Sequence, residues 1–107
     1  MIEIILTNDP SQTFDIVLGN INYEFLIKYN SRVGAWSLDI TTGGQLLYSG
    51  IALVIGGDIM SPYPEGPTNI YMVNTTGRDM DATAENLGID VRMFQLTDEE
   101  VANVSPI

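Results

Sequence analysis

The residues of this chain that could do chemistry are carboxylates and aromatics. Asp79, Asp81 and Glu85 lie close together in a polar stretch, and carboxylates at alternate positions can converge on a hard cation such as calcium. They lack the ligand series of a complete calcium-binding loop, so the expectation is a solvated acidic loop with no metal. Glu24 and Asp39 are candidates for a carboxylate pair of the glycosidase kind. Both fall on the polar phase of strand-like segments, where a plain surface charge is the simpler reading. Trp36, with Tyr23, Phe25 and Tyr29, could form a platform for stacking sugars or peptides. The same residues fit the apolar phase of adjacent strands, which makes them core residues and Trp36 a core anchor. Tyr63 and Tyr71 flank a proline-rich loop, and loops reach partners, so these two are the better contact candidates.

Much other chemistry is excluded by absence. The 107 residues include no cysteine and no histidine. That removes disulfides, thiolate nucleophiles, cysteine or histidine metal sites and every Ser-His or Cys-His mechanism. Gly56-Gly57 does not open onto a helical pattern, so it is not expected to cradle a phosphate, and no cofactor is assigned. Asn74-Thr75-Thr76 matches a glycosylation pattern, which carries no weight without a secretory signal. The formal charge is −10, with 14 acidic residues against 4 basic ones. Lys28, Arg32, Arg78 and Arg92 are too few and too scattered to bind nucleic acid directly. No run approaches a membrane span and the apolar start lacks a basic leader, so a soluble chain is expected.

The elements that must position these residues read as strands. Ile2 to Leu6 is a short β-branched run closed by the turn cluster Asn8 to Ser11. Phe14, Ile16 and Leu18 alternate, and Gly19-Asn20 suits a two-residue hairpin turn. Ile21, Tyr23, Phe25, Ile27 and Tyr29 recur with period two, the signature of a half-buried strand. After the turn Asn30 to Gly34, Trp36, Leu38 and Ile40 alternate again; Gly43-Gly44 interrupts, and Gln45 to Tyr48 resumes. Ile51 to Ile55 is continuously apolar, as a strand buried on both faces would be. Ser61 to Asn69 holds three prolines and predicts a pinned loop. Ile70 to Val73 and Val91 to Leu96 are the last strands, with polar Asn74 to Gly88 between them. Thr97 can cap one helical turn over Asp98 to Glu100. The expected fold is therefore all-β: one domain over residues 1–107, a small antiparallel barrel or sandwich of seven or eight short strands with a short C-terminal helical turn.

Several segments resemble a known family. Asn30-Ser31-Arg32-Val33-Gly34-Ala35-Trp36-Ser37-Leu38-Asp39-Ile40 resembles a turn and tryptophan strand of the baseplate plug proteins of contractile-tailed phages, among them the small cyanophage type. Pro10 to Phe14, Gly50 to Val54, Asp58 to Tyr63 and Asn86-Leu87-Gly88 followed by Val91 to Leu96 are similar in order and spacing. The resemblance runs from about Ile4 to Leu96 and lapses at Pro64 to Asn69 and Thr75 to Asp81.

It implies a structural subunit rather than an enzyme, with no catalytic residue to carry over. The implied place is the virion's tail baseplate, after assembly in the host cytoplasm, as a plug or adaptor. The implied partners are hub, spike, tail tube and tape-measure proteins, with copies in a homo-oligomeric ring. Expected contacts are Tyr63, Pro64 and Tyr71 around the loop, and Val101, Val104 and Ile107, whose segment has little core of its own. The acidic balance suits a wall beside a DNA conduit, and equally an ordinary soluble surface. From the residues alone, the alternative is a monomeric glycan- or peptide-binding β-sandwich.

Overall fold

Among the described residues seven strands and one helix form, in chain order β1 (Ile2–Ile4), β2 (Ser11–Leu18), β3 (Ile21–Asn30), β4 (Ala35–Thr42), β5 (Gln45–Ala52), β6 (Ile70–Asn74), β7 (Val91–Gln95) and α1 (Asp98–Val104). A computed structural model describes residues 1–63 and 65–104, the side chains of 102–104 excepted. The strands make two antiparallel sheets, a four-stranded one in the order β2-β3-β4-β5 and a three-stranded one in the order β1-β7-β6. They face each other as a sandwich and do not close into a barrel. No helix among the described residues is long and apolar enough to cross a membrane.

Period two decides which side chains meet between the sheets. On β3, Tyr23, Phe25 and Ile27 are buried; on β4, Trp36, Leu38 and Ile40 are buried. Ile70 and Met72 of β6, and Val91 and Met93 of β7, close the core from the other sheet. Ile21, in phase with this face, is nevertheless 47% exposed, because it closes the hairpin at the sandwich rim. The hairpin turn is Gly19-Asn20, with φ of 60° and 66°, which leaves Leu18 paired with Ile21.

Three segments differ from the sequence reading. Gln45 to Tyr48 and Ile51 belong to one strand, kinked where the β4–β5 register shifts and Gly50 takes a φ of 73°. Ile51 to Ile55 is not a strand buried on both faces: β5 ends at Ala52, and only Ile51 and Leu53 are buried while Val54 is 45% exposed. The run is apolar because it leaves one sheet and reaches the other. Isolated bridges join Ile55 to Met72 and Asp58 to Tyr71, so it lies along the free side of β6. The C-terminal helix is also longer than one turn, spanning seven residues.

Candidate interaction surfaces

The loop between β5 and β6 is ordered by one carboxylate. Asp58 Oδ1 accepts from the backbone N–H of Met60 at 2.9 Å and of Ile70 at 3.1 Å, and its Oδ2 accepts from Asn69 N–H at 3.2 Å. The two ends of the loop are thereby pinned to a single side chain. Tyr63 projects from this loop onto Tyr48 of β5, with ring centroids 4.7 Å apart, and Tyr48 Oη accepts from the Glu65 N–H at 3.4 Å. Tyr63 is thus partly buried within the chain. Pro64 lies outside the described residues.

Tyr71 stands elsewhere. On β6 it alternates with buried Ile70 and Met72, so it faces outward from the three-stranded sheet. Register places Tyr71, Phe94 and Glu3 in one row across that face, and Arg92 Nη1 lies 3.9 Å from Glu3 Oε1. Tyr71, Val73 and Leu96 line a shallow groove of about 530 Å³ bordered by Gly56, Gly57 and Arg78. Tyr63 and Tyr71, neighbours of the same loop in sequence, therefore have different surroundings.

The C-terminal helix is held at its start. Thr97 Oγ1 accepts from Glu100 N–H at 3.1 Å, and Thr97 N–H donates to Glu100 Oε1 at 2.9 Å, a reciprocal capping box. The amino terminus of Met1 also donates to Glu100 Oε1, at 2.7 Å. These hydrogen bonds, that from the terminal ammonium first and that from the Thr97 N–H next, hold the Glu100 carboxyl below the usual glutamate range. Asn69 Nδ2 donates to Asp98 Oδ1 at 2.7 Å, which ties the helix to the end of the Asp58 loop. Val101 is half-buried on α1. The Val104 side chain and Ile107 lie outside the described residues.

The other candidates have identifiable structural tasks. Trp36 is 3% exposed, Tyr23 and Phe25 further along the sheet are buried, and Tyr29, the partner of Trp36 in the β3–β4 register, is half-buried, so these rings do not form an open stacking platform. Burial also pushes the Tyr23 hydroxyl above the usual tyrosine range. Asp39 accepts from Gly50 N–H at 2.9 Å and pairs with Lys28 at 3.6 Å, while Glu24 sits opposite Asp15 in the β2–β3 register. Asp81 Oδ1 accepts from Ile55 N–H at 2.8 Å, which fastens the acidic loop to the crossing segment. Among the described residues no three acidic side chains converge on a metal position.

Sequence reasoning missed the architecture of Asn86-Leu87-Gly88. Asn86 Oδ1 accepts from Thr83 N–H at 2.6 Å, and its carbonyl accepts from the N–H groups of Ile89, Asp90 and Val91. Gly88, at φ 79°, passes so close to β1's continuation that a Cβ there would lie 2.2 Å from the Leu6 carbonyl oxygen. An isolated glycine with a flanking asparagine was the available signal.

Comparison with known proteins gives one family. The family model described as "Cyanophage baseplate Pam3 plug gp18" matches residues 1–99 of the chain. No curated protein matches it.

Proposed function

The chain belongs to the cyanophage baseplate plug family, and from that premise we propose that it is a structural subunit of a contractile-tail baseplate, acting as a plug or adaptor where the hub meets the tail tube. The observation that carries this reading is the family match over residues 1–99, which takes in both sheets. Its action is packing rather than catalysis. Chemistry-bearing side chains such as Asp58, Asp81 and Asp39 are engaged with backbone N–H groups of the chain itself.

The partners in this reading are hub, spike, tube and tape-measure proteins, and copies of the chain form a ring about the tail axis. Contacts come from the loop around Tyr63 and Pro64, from the outward face carrying Tyr71, and from the C-terminal segment with Val101, Val104 and Ile107. Large rigid aromatic area at low entropic cost favours Tyr71 as an anchor. The subunit is made in the host cytoplasm and ends in the virion tail. Mass spectrometry of purified tails tests the assignment: the chain should co-purify stoichiometrically with hub and tube proteins. Presence in the lysate with absence from intact tails would refute it.

A further inference from the structure

A sandwich with open sheets has edges, and three of the four here are blunted. β1 is only three residues long. β6 is flanked by the bridges from Ile55 and Asp58. β5 is kinked at Gly50 and by its shifted register, and Tyr63 packs against its Tyr48. Short, covered or bulged edges resist further strand pairing. β2 has none of these devices: its eight residues pair with β3 in unbroken register.

The phase of that pairing tells which backbone groups point outward. A two-residue hairpin closes on a hydrogen-bonded pair, here Leu18 with Ile21, and such pairs alternate along an antiparallel ladder. The Tyr29 N–H donates to the Pro10 carbonyl at 2.9 Å, which continues the same phase beyond the strand's other end. Gln12, Phe14, Ile16 and Leu18 therefore bond to β3, and Ser11, Thr13, Asp15 and Val17 turn their N–H and C=O groups outward. Asp9 Oδ1 takes the Ser11 N–H at 3.1 Å. The N–H groups of Thr13, Asp15 and Val17 have no partner among the described residues.

We propose that this edge accepts an extended basic segment of a partner protein as a further strand of the four-stranded sheet. Side chains on both faces specify the guest. On the inner face Phe14 and Ile16 are only half-covered, whereas Phe25 and Ile27 of the next strand are fully buried, so a guest strand needs apolar residues there. On the outer face Asp15 stands directly opposite Glu24, an arrangement of like charges that costs stability. A lysine or arginine of the guest beside Asp15 relieves it, and a chain of net charge −10 attracts such a segment. The pairing is strand addition, with backbone bonds giving affinity and alternate side chains giving choice. It stands independently of the baseplate reading.

The test is amide hydrogen exchange on the full chain, alone and with saturating synthetic peptide alternating valine with lysine. Exchange at Thr13, Asp15 and Val17 should slow by about tenfold or more, and a valine–glutamate peptide should have no effect. Thr13→Pro removes an outward N–H and should abolish the slowing, since proline is tolerated on a free edge. Asp15→Lys, which leaves the backbone donors intact, should weaken the lysine peptide selectively. Unchanged exchange at all three amides, or equal slowing by both peptides, would overturn the proposal. Slowing that rises with protein concentration in the absence of peptide would overturn it in favour of a second copy.

Discussion

The indole N–H of Trp36 donates to the main-chain carbonyl of Thr83 at 2.8 Å. A core residue of β4 is thereby joined to the long polar connection between β6 and β7, while its ring packs on Tyr29 at a centroid distance of 5.0 Å. The residue that fills the core thus also fastens the connection that carries the buried Ala82 and Leu87.

Trp36→Ala should accordingly destabilise the chain by about 3–5 kcal/mol, as truncation of a buried large aromatic does. Trp36→Phe keeps most of the ring and loses the hydrogen bond, at about 1 kcal/mol for that bond alone. Denaturant unfolding gives both values. Exchange of the amides around Thr83 should quicken in the phenylalanine variant as well, which a purely hydrophobic role would not produce.

Gly88→Ala should be costlier than an ordinary turn substitution. Its new methyl would meet the Leu6 carbonyl oxygen at 2.2 Å, and the left-handed backbone adds strain. Together these predict a loss of about 2–5 kcal/mol. Gly43→Ala, at a φ of 59° with nothing within 4 Å, isolates the conformational part and should cost about 1 kcal/mol. Equal midpoints for the two variants in a denaturant titration would contradict the close approach.

What the sequence made legible follows from what period two can encode. Tyr23, Phe25 and Ile27 on β3, and Trp36, Leu38 and Ile40 on β4, are read correctly because each strand has one buried face. Period two also separates Tyr71 from Ile70 and Met72, although proximity to the loop alone suggested grouping it with Tyr63. Ile51 to Ile55 misleads because a crossing between sheets is apolar without being a doubly buried strand. Residues 75–90 are opaque for a different reason. Their order rests on Asp81 with Ile55, Trp36 with Thr83, and Gly88 with Leu6, and no local pattern announces partners so distant. The capping box was present as Thr97-Asp98-Glu99-Glu100, but only its first member was read from the sequence.

Asp58→Ala leaves three backbone N–H groups without their acceptor. Hydrogen bonds to a charged group contribute about 1.5–3 kcal/mol each at most and act jointly here, so a loss of about 2–4 kcal/mol is expected. Asp58→Asn should recover part of it. The amides of Met60, Asn69 and Ile70 should exchange faster in both variants, and unaltered exchange there would show that the loop is ordered by something else.

Protonation of Glu100 should loosen the start of α1. A carboxyl held below its ordinary range in the folded chain stabilises fully above the unfolded glutamate range. That contribution is lost as pH falls through the lower, folded value. Protection of the Val101 amide, which bonds to the Thr97 carbonyl at 3.0 Å, should therefore decline on acidification below the usual glutamate range. Glu100→Gln should flatten the decline; an identical pH profile in that variant would assign it to other carboxylates.

A packed structural subunit of a phage baseplate must be visible in a density map of an intact tail. Repeated copies are expected at the tail tip, around the axis between hub and tube, with Tyr71 and the Ser61–Asn69 loop against neighbouring subunits. A complete baseplate map with no density for the sandwich, or with it bound away from hub and tube, would refute the plug assignment.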